Sequence, residues 1–173
     1  MHCAPTISVR NDARLAMTAA FHGGGDNGSD PDSSARHARS DESLHLLVAD
    51  DSNADRALLA AYLQSAGWSA VMVYNGKDAA FCAGSERYDA IVLEQNMPAM
   101  TGIEVAMQCR RQQGPNANTP ILIWTASDLT LLAPQVEDLP RVDLAAKPLA
   151  YRPFLDWAQS SAAQTRRAFR RTR

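Results

Sequence analysis

The chain has 173 residues, 46 % of them hydrophobic and 21 % charged, with a formal net charge of −2. That is room for one domain plus tails, in the composition range of an ordinary globular protein. Three cysteines, Cys3, Cys82 and Cys109, stand far apart with no CxxC or Cys/His cluster, a pattern that indicates neither a disulfide framework nor a zinc site and suits a reducing cytoplasm. No stretch approaches the ~20 apolar residues of a membrane helix. The run LAMTAAF at 15–21 is too short for a signal peptide, broken by Thr18 and preceded by Asp12. The charge is uneven: the last eight residues, RRAFRRTR, hold five arginines, which as a like-charge block read as a solvated tail or a nucleic-acid contact.

Residues 22–43, HGGGDNGSDPDSSARHARSDES, carry no large apolar side chain. They cannot bury enough surface to offset the entropy of ordering, so 1–43 is expected to be a disordered N-terminal arm, with at most a helical turn or two around 12–20. From Leu44 the pattern alternates. HLLVAD at 45–50 predicts a short buried strand. Ser52 or Asn53 can cap a helix with Ala54, Leu58, Ala61, Tyr62 and Ala66 inward and Gly67 as its stop. A second strand is expected at 69–74, a helix over 77–84 and a third strand at 90–94. Ile103, Ala106, Met107 and Arg110 give a third helix that ends near Gly114, followed by the polar loop QQGPNANT. A fourth strand is expected at 120–125. Over 128–139 the helix is short or broken at Pro134. VDLAA at 142–146 is the fifth strand, and Pro153 can occupy the first turn of a final helix reaching about 168, with Phe154, Trp157 and Ala158 inward. Five strand–helix alternations with continuous apolar strands imply a parallel sheet covered on both faces. This places the folded domain at 44–160, with the end of the last helix and a basic tail over 161–173.

The chemistry gathers at the strand ends. Asp50-Asp51 follow the first strand, Glu94 the third, Thr125-Ala126 the fourth and Lys147-Pro148 the fifth. Packed carboxylates repel and need a cation, and Mg²⁺ suits one or two carboxylates with waters and a phosphate. One reading is a magnesium-assisted phosphoryl-handling site, or the remains of one. The other is structural: an acid pair at a helix N-terminus, with Thr125 and Lys147 only neutralising the acids in an ion-pair network. Met97, Met100 and Trp124 read as packing residues. Leu129, Leu131 and Leu132 fit either a core or an exposed partner patch.

On the motifs VADDS, LEQNMPAMTG, TA and KP, with intervals of 43, 31 and 22 residues between Asp51, Glu94, Thr125 and Lys147, residues 45–158 resemble the receiver domain of bacterial two-component response regulators. The resemblance implies a CheY-like, flavodoxin-like doubly wound sheet of order 2-1-3-4-5. It implies that Asp50 and Asp51 hold Mg²⁺ together with the acceptor-position Glu94 and a main-chain group of Asn96. Thr125 and Lys147 then read the phosphoryl group, and the Lys147-Pro148 bond is cis. Three departures stand out. The family's acceptor Asp is Glu94 here, its aromatic switch position aligns with Leu144, and Pro134 and Pro140 interrupt the fourth-helix region.

Three functions are therefore open. The first is an atypical, stand-alone receiver working by protein–protein interaction without phosphorylation, not an enzyme, with a histidine kinase or a downstream signalling protein as partner and Mg²⁺ bound weakly if at all. The second is a competent phosphoacceptor charged by a histidine kinase or phosphotransfer protein. The third is nucleic-acid binding through the C-terminal arginines. The short stretch after Lys147 leaves no space for a DNA-binding output domain, so the chain is expected to be either such a receiver or a piece of a larger hybrid protein.

Overall fold

The structure, a computed structural model, describes residues 43–170, with side chains described as far as 167. The expected N-terminal arm lies outside the described residues apart from Ser43. Five strands and five helices alternate: β1 (His45–Ala49), α1 (Asn53–Ser65), β2 (Ser69–Val73), α2 (Gly76–Ser85), β3 (Ala90–Leu93), α3 (Gly102–Arg111), β4 (Ile121–Thr125), α4 (Leu129–Val136), β5 (Val142–Ala146) and α5 (Tyr151–Arg170). The sheet is parallel throughout and ordered β2-β1-β3-β4-β5, which is the doubly wound order that the resemblance implied.

Strand residues alternate between two cores, because successive side chains leave a strand on opposite faces. Leu46, Val48, Ala90, Val92, Leu122 and Trp124 pack with Leu59, Leu63, Phe154 and Ala158 under α1 and α5. Leu47, Ala49, Ile91, Leu93, Ile121 and Ile123 pack with α2, α3 and α4 on the other side. The α1 face differs from the alanine-based expectation. Ala54 and Ala61 are exposed, and Leu59 and Leu63, one turn apart, are the buried pair. Burial of two leucines outweighs that of two methyl groups by several kcal/mol, roughly 1.5–3 kcal/mol per large side chain, so they set the rotation of the helix. Leu58, Tyr62 and Ala66 then pack at its margin. Gly67, at φ +71°, ends α1 as expected. Its N–H bonds Gln64 O, and Trp68 N–H bonds Leu63 O at 2.9 Å, the paired arrangement that a left-handed glycine permits.

Pro134 does not break α4. The helix runs through it to Val136, capped by Asp128, whose side chain accepts from Thr130 N–H. Leu132 and Val136 are buried in the core, and Leu131 is 70 % exposed. The open question over the leucines is thus resolved by position: Leu132 is core and Leu131 is surface. The helix α5 passes residue 160 without interruption. Ala162 and Thr165 are buried, and Arg166 pairs with Asp89 at 3.0 Å while its guanidinium also bonds Ser43 O. Of the terminal arginines, Arg166 is therefore part of the fold and Arg167 is exposed. No helix among the described residues is long and apolar enough to cross a membrane.

Two interior polar groups were not visible in the sequence pattern. Arg110 was expected only as part of the third helix. Its guanidinium bonds the carbonyls of Pro140, Asn116, Ala117, Thr119 and Arg141, joining α3 to the loops that lead into β4 and β5. Asn116, 1 % exposed, accepts from Tyr88 N–H and donates to the carbonyls of Ala83 and Glu86, so the polar loop after α3 is nailed to the end of α2. Arg110→Lys is expected to lose about 2–3 kcal/mol in chemical denaturation, because a lysine lacks the planar fork that reaches several carbonyls at once. Leu132→Asp is expected to unfold the domain, while Leu131→Asp stays within about 0.5 kcal/mol of the parent in the same assay.

Candidate functional site

The strand order makes β1 and β3 neighbours, with Ala49 opposite Leu93, and β4 and β5 neighbours, with Thr125 opposite Ala146. The residues that follow these strands therefore line up along one sheet edge, where open parallel sheets place their ligands. Asp50, Glu94, Thr125 and Lys147 meet there as the sequence predicted. Asp50 is 1 % exposed, Glu94 7 % and Thr125 0 %.

The loop from Glu94 to Thr101 is held rigidly. Gly102 N–H bonds Gln95 O, Ile103 N–H bonds the Gln95 side chain, and Thr101 and Glu104 form a reciprocal cap on α3. A Cβ on Gly102 would lie 2.5 Å from Glu94 O, and one on Gly76 would lie 2.0 Å from Met100 O. These two positions accept only glycine because the backbones touch. Gly76 N–H also bonds Pro98 O, which ties the loop to the start of α2. The Lys147-Pro148 bond is cis, as the resemblance implied.

Lys147 is the centre of the site. Its Nζ lies 2.7 Å from Asp50 Oδ2, 2.8 Å from Asp55 Oδ2 and 2.6 Å from Glu94 Oε2. An ammonium has three protons, and each has its own carboxylate. The Trp124 ring stands behind it, 4.8 Å from Nζ to the centroid, close enough for a cation–π contribution. Burial works against the charge on Lys147, but the hydrogen bonds to Asp50, Asp55 and Glu94 outweigh it and hold the pKa above the ordinary lysine value. Burial pushes the Asp50 carboxyl up, opposed by Lys147 and by the Ser52 N–H that donates to Oδ1 at 2.8 Å.

Glu94 is engaged on both oxygens. Oε1 accepts from Gln95 N–H at 2.8 Å, from Asn96 N–H at 3.1 Å and from the Thr125 hydroxyl, while Oε2 takes Lys147. The Thr125 proton is thus spent on Glu94. Behind it, Ser127 Oγ lies 3.3 Å from Thr125 Oγ1 and accepts from Asn96 Nδ2 at 2.8 Å.

The expected metal set of Asp50, Asp51, Glu94 and Asn96 is not assembled in this arrangement. Asp51 is exposed and joins none of the site's hydrogen bonds or ion pairs. Asn96 points its side chain at Ser127 and its N–H at Glu94. No group of three His, Cys, Asp or Glu among the described residues is placed to hold a metal ion. Mg²⁺ demands near-octahedral oxygen ligands at about 2.0–2.1 Å, and Lys147 already takes the oxygens it would use. As arranged, these residues do not fit the ion. Glu94 spends Oε1 on the Thr125 hydroxyl and Oε2 on Lys147.

Three contributors were missed from the sequence: Asp55, Arg56 and Ser127. Asp55 sits in the first turn of α1, where an acid is unremarkable at a helix N-terminus, and only the fold brings it to Lys147, 92 positions away. Arg56 donates to Asp50 O and to the Asn53 side chain. Ser127 gave no sequence signal beyond its place two residues after Thr125.

Lys147 itself stays charged at every pH below the ordinary lysine value of about 10.4, and that charge is lost only as pH climbs through its raised folded value; on the acid side its contribution depends on its carboxylate partners staying ionised. Lys147→Met is expected to cost about 3–5 kcal/mol near neutrality, since it strands buried carboxylates without their cation. Asp50, raised by burial, then takes up a proton in the folded chain before it does in the unfolded one, which favours folding as pH falls. The gap between parent and variant in urea unfolding should therefore narrow from about pH 7 to about pH 5. A gap independent of pH would mean that the carboxylates do not depend on Lys147.

The model of the response regulator receiver domain matches residues 46–156. Response regulator MprA of Mycobacterium tuberculosis is 34 % identical over 131 residues, which cover 76 % of this chain and 53 % of that protein. Sensory/regulatory protein RpfC of Xanthomonas campestris pv. campestris is 29 % identical over 132 residues, 76 % of this chain and 18 % of that protein. The chain thus spans about half or less of the length of these relatives. Among solved structures, the receiver domain of sensor histidine kinase PA1611 of Pseudomonas aeruginosa, with a magnesium ion coordinated in its active-site cleft, superposes with a TM-score of 0.64 at 24 % identity, covering 70 % of this chain and 98 % of that one. The chemotaxis protein CheY4 of Vibrio cholerae superposes with a TM-score of 0.62 at 28 % identity, covering 68 % and 97 %. With its fold and the matched residues in agreement, the chain belongs to the response regulator receiver domains of two-component signalling.

Proposed function

We propose that this receiver works by protein–protein interaction and without phosphorylation, in an atypical branch of two-component signalling. The observation that carries the reading is the full engagement of Glu94. Both of its oxygens are occupied, by two backbone N–H groups, the Thr125 hydroxyl and the Lys147 ammonium. A carboxylate in that position is a poor nucleophile, since attack needs a free oxygen lined up at about 3–3.5 Å from the reacting atom. Glu reaches farther than Asp by one carbon–carbon bond, roughly 1.5 Å, and so lies against the two residues that read a phosphoryl group in the family pattern. It brings one negative charge where a phosphate brings about −1.5 to −2. The imitation is partial, and it is permanent.

Supporting the interaction role is the surface made by α4, β5 and α5. Leu131 is exposed there, and Leu144, at the family's aromatic switch position, packs against the core rather than offering a ring that could change rotamer. The partner class that fits is a histidine kinase or a downstream signalling protein in the cytoplasm, and the site takes part as a fixed element rather than as a catalyst. Magnesium enters no step of this reading.

The competent-phosphoacceptor reading draws on the presence of Asp50, Thr125 and Lys147 and is separated by one assay. The full chain is incubated with Mg²⁺ and acetyl phosphate and followed by intact mass. No phosphoryl adduct is expected on the parent, and an adduct is expected on Glu94→Asp, whose shorter carboxylate withdraws from Lys147. A stable adduct on Glu94 itself would contradict the proposal.

A further inference from the structure

The geometry points to Lys147 as the resident cation of this site: its ammonium occupies the role of a divalent metal, and the folded receiver binds no magnesium while that lysine is in place. Four observations meet here. Three carboxylates from β1, α1 and β3 surround a single Nζ at 2.6–2.8 Å. The three ammonium protons match three separate acceptors, so none is left over for solvent or phosphate. Glu94 Oε1 accepts from three other donors and Asp50 Oδ1 from Ser52 N–H. The Lys147 side chain is 13 % exposed and backed by the Trp124 ring, so water reaches the cluster poorly and the charges attract one another more strongly than at the surface.

Glu94 is the reason the lysine can do this. An acid one methylene shorter would draw its oxygens back toward β3 and leave an opening between Asp50 and the third carboxylate. The longer side chain closes that opening and hands its outer oxygen to Lys147. Asp51, exposed and outside the network, is then left with no ion to share. Lys147 and a magnesium ion are alternatives, because both need the same outer oxygens of Asp50 and Glu94. The inference concerns the ground state of the site and does not depend on whether phosphorylation occurs, and the test below uses no phosphodonor, so its failure is distinct from failure of the proposed function.

The full chain is titrated with MgCl₂ by isothermal calorimetry, and thermal unfolding is recorded with and without millimolar Mg²⁺ at matched ionic strength. The parent is expected to give no saturable heat and no shift in Tm. Lys147→Met and Glu94→Asp are each expected to acquire saturable Mg²⁺ binding and a rise in Tm of about 5 °C or more, because a ligand that binds only the folded state stabilises it. Asp50→Ala placed on Glu94→Asp should abolish that gain and so locate the ion. Saturable millimolar or tighter binding by the parent overturns the inference whether or not the variants fold. Folded Glu94→Asp that remains blind to Mg²⁺ overturns it as well.

Discussion

One ammonium group holds this sheet edge together. Without Lys147, Asp50 and Glu94 would face each other buried and Asp55 would add a third charge at 2.8 Å from the same point. Like charges at that spacing cannot all ionise without a cation among them. The chain meets that requirement from its own fifth strand, and everything around the site is arranged to bring Lys147 in. β5 pairs with β4 up to Ala146, and Lys147 N–H bonds Thr125 O at 2.8 Å.

The opposite wall is fixed by contacts between backbones. The loop carrying Glu94 is trapped between α2 and α3 at Gly76 and Gly102, where a single added carbon would collide with carbonyl groups. Such a wall fixes the point from which the Glu94 side chain starts. Its length is then decisive, because a rigid frame converts one extra methylene into a different set of partners. Here that set of partners is a closed ion-pair network of Lys147 with Asp50, Asp55 and Glu94. The fold is shared with solved structures at 24–28 % identity.

Much of the fold could be read from the residues because each level of pattern agreed. Buried apolar runs of four to five residues gave the strands, Gly67 marked the end of α1, and Asp50, Glu94, Thr125 and Lys147 at the ends of β1, β3, β4 and β5 marked the sheet edge. The rotation of α1 was misread because alanines were weighed like leucines; the area buried by Leu59 and Leu63 decides it. Pro134 proved compatible with helix because α4 is short and loses only one internal hydrogen bond to it. At the site, Asp50, Glu94, Thr125 and Lys147 were found from their strand-end positions. Asp55 was not, because its role depends on a side chain 92 residues away, and Arg110 and Asn116 were not, because a polar residue buried against backbone carbonyls carries no periodic signature.

The most direct measurement of the central claim is a high-resolution crystal structure of the full chain grown in excess magnesium. The account predicts Lys147 Nζ within hydrogen-bond distance of Asp50, Asp55 and Glu94, with no octahedral ion between them. An ion with its water shell bound to Asp50 and Asp51, and Lys147 swung away from Glu94, would contradict it.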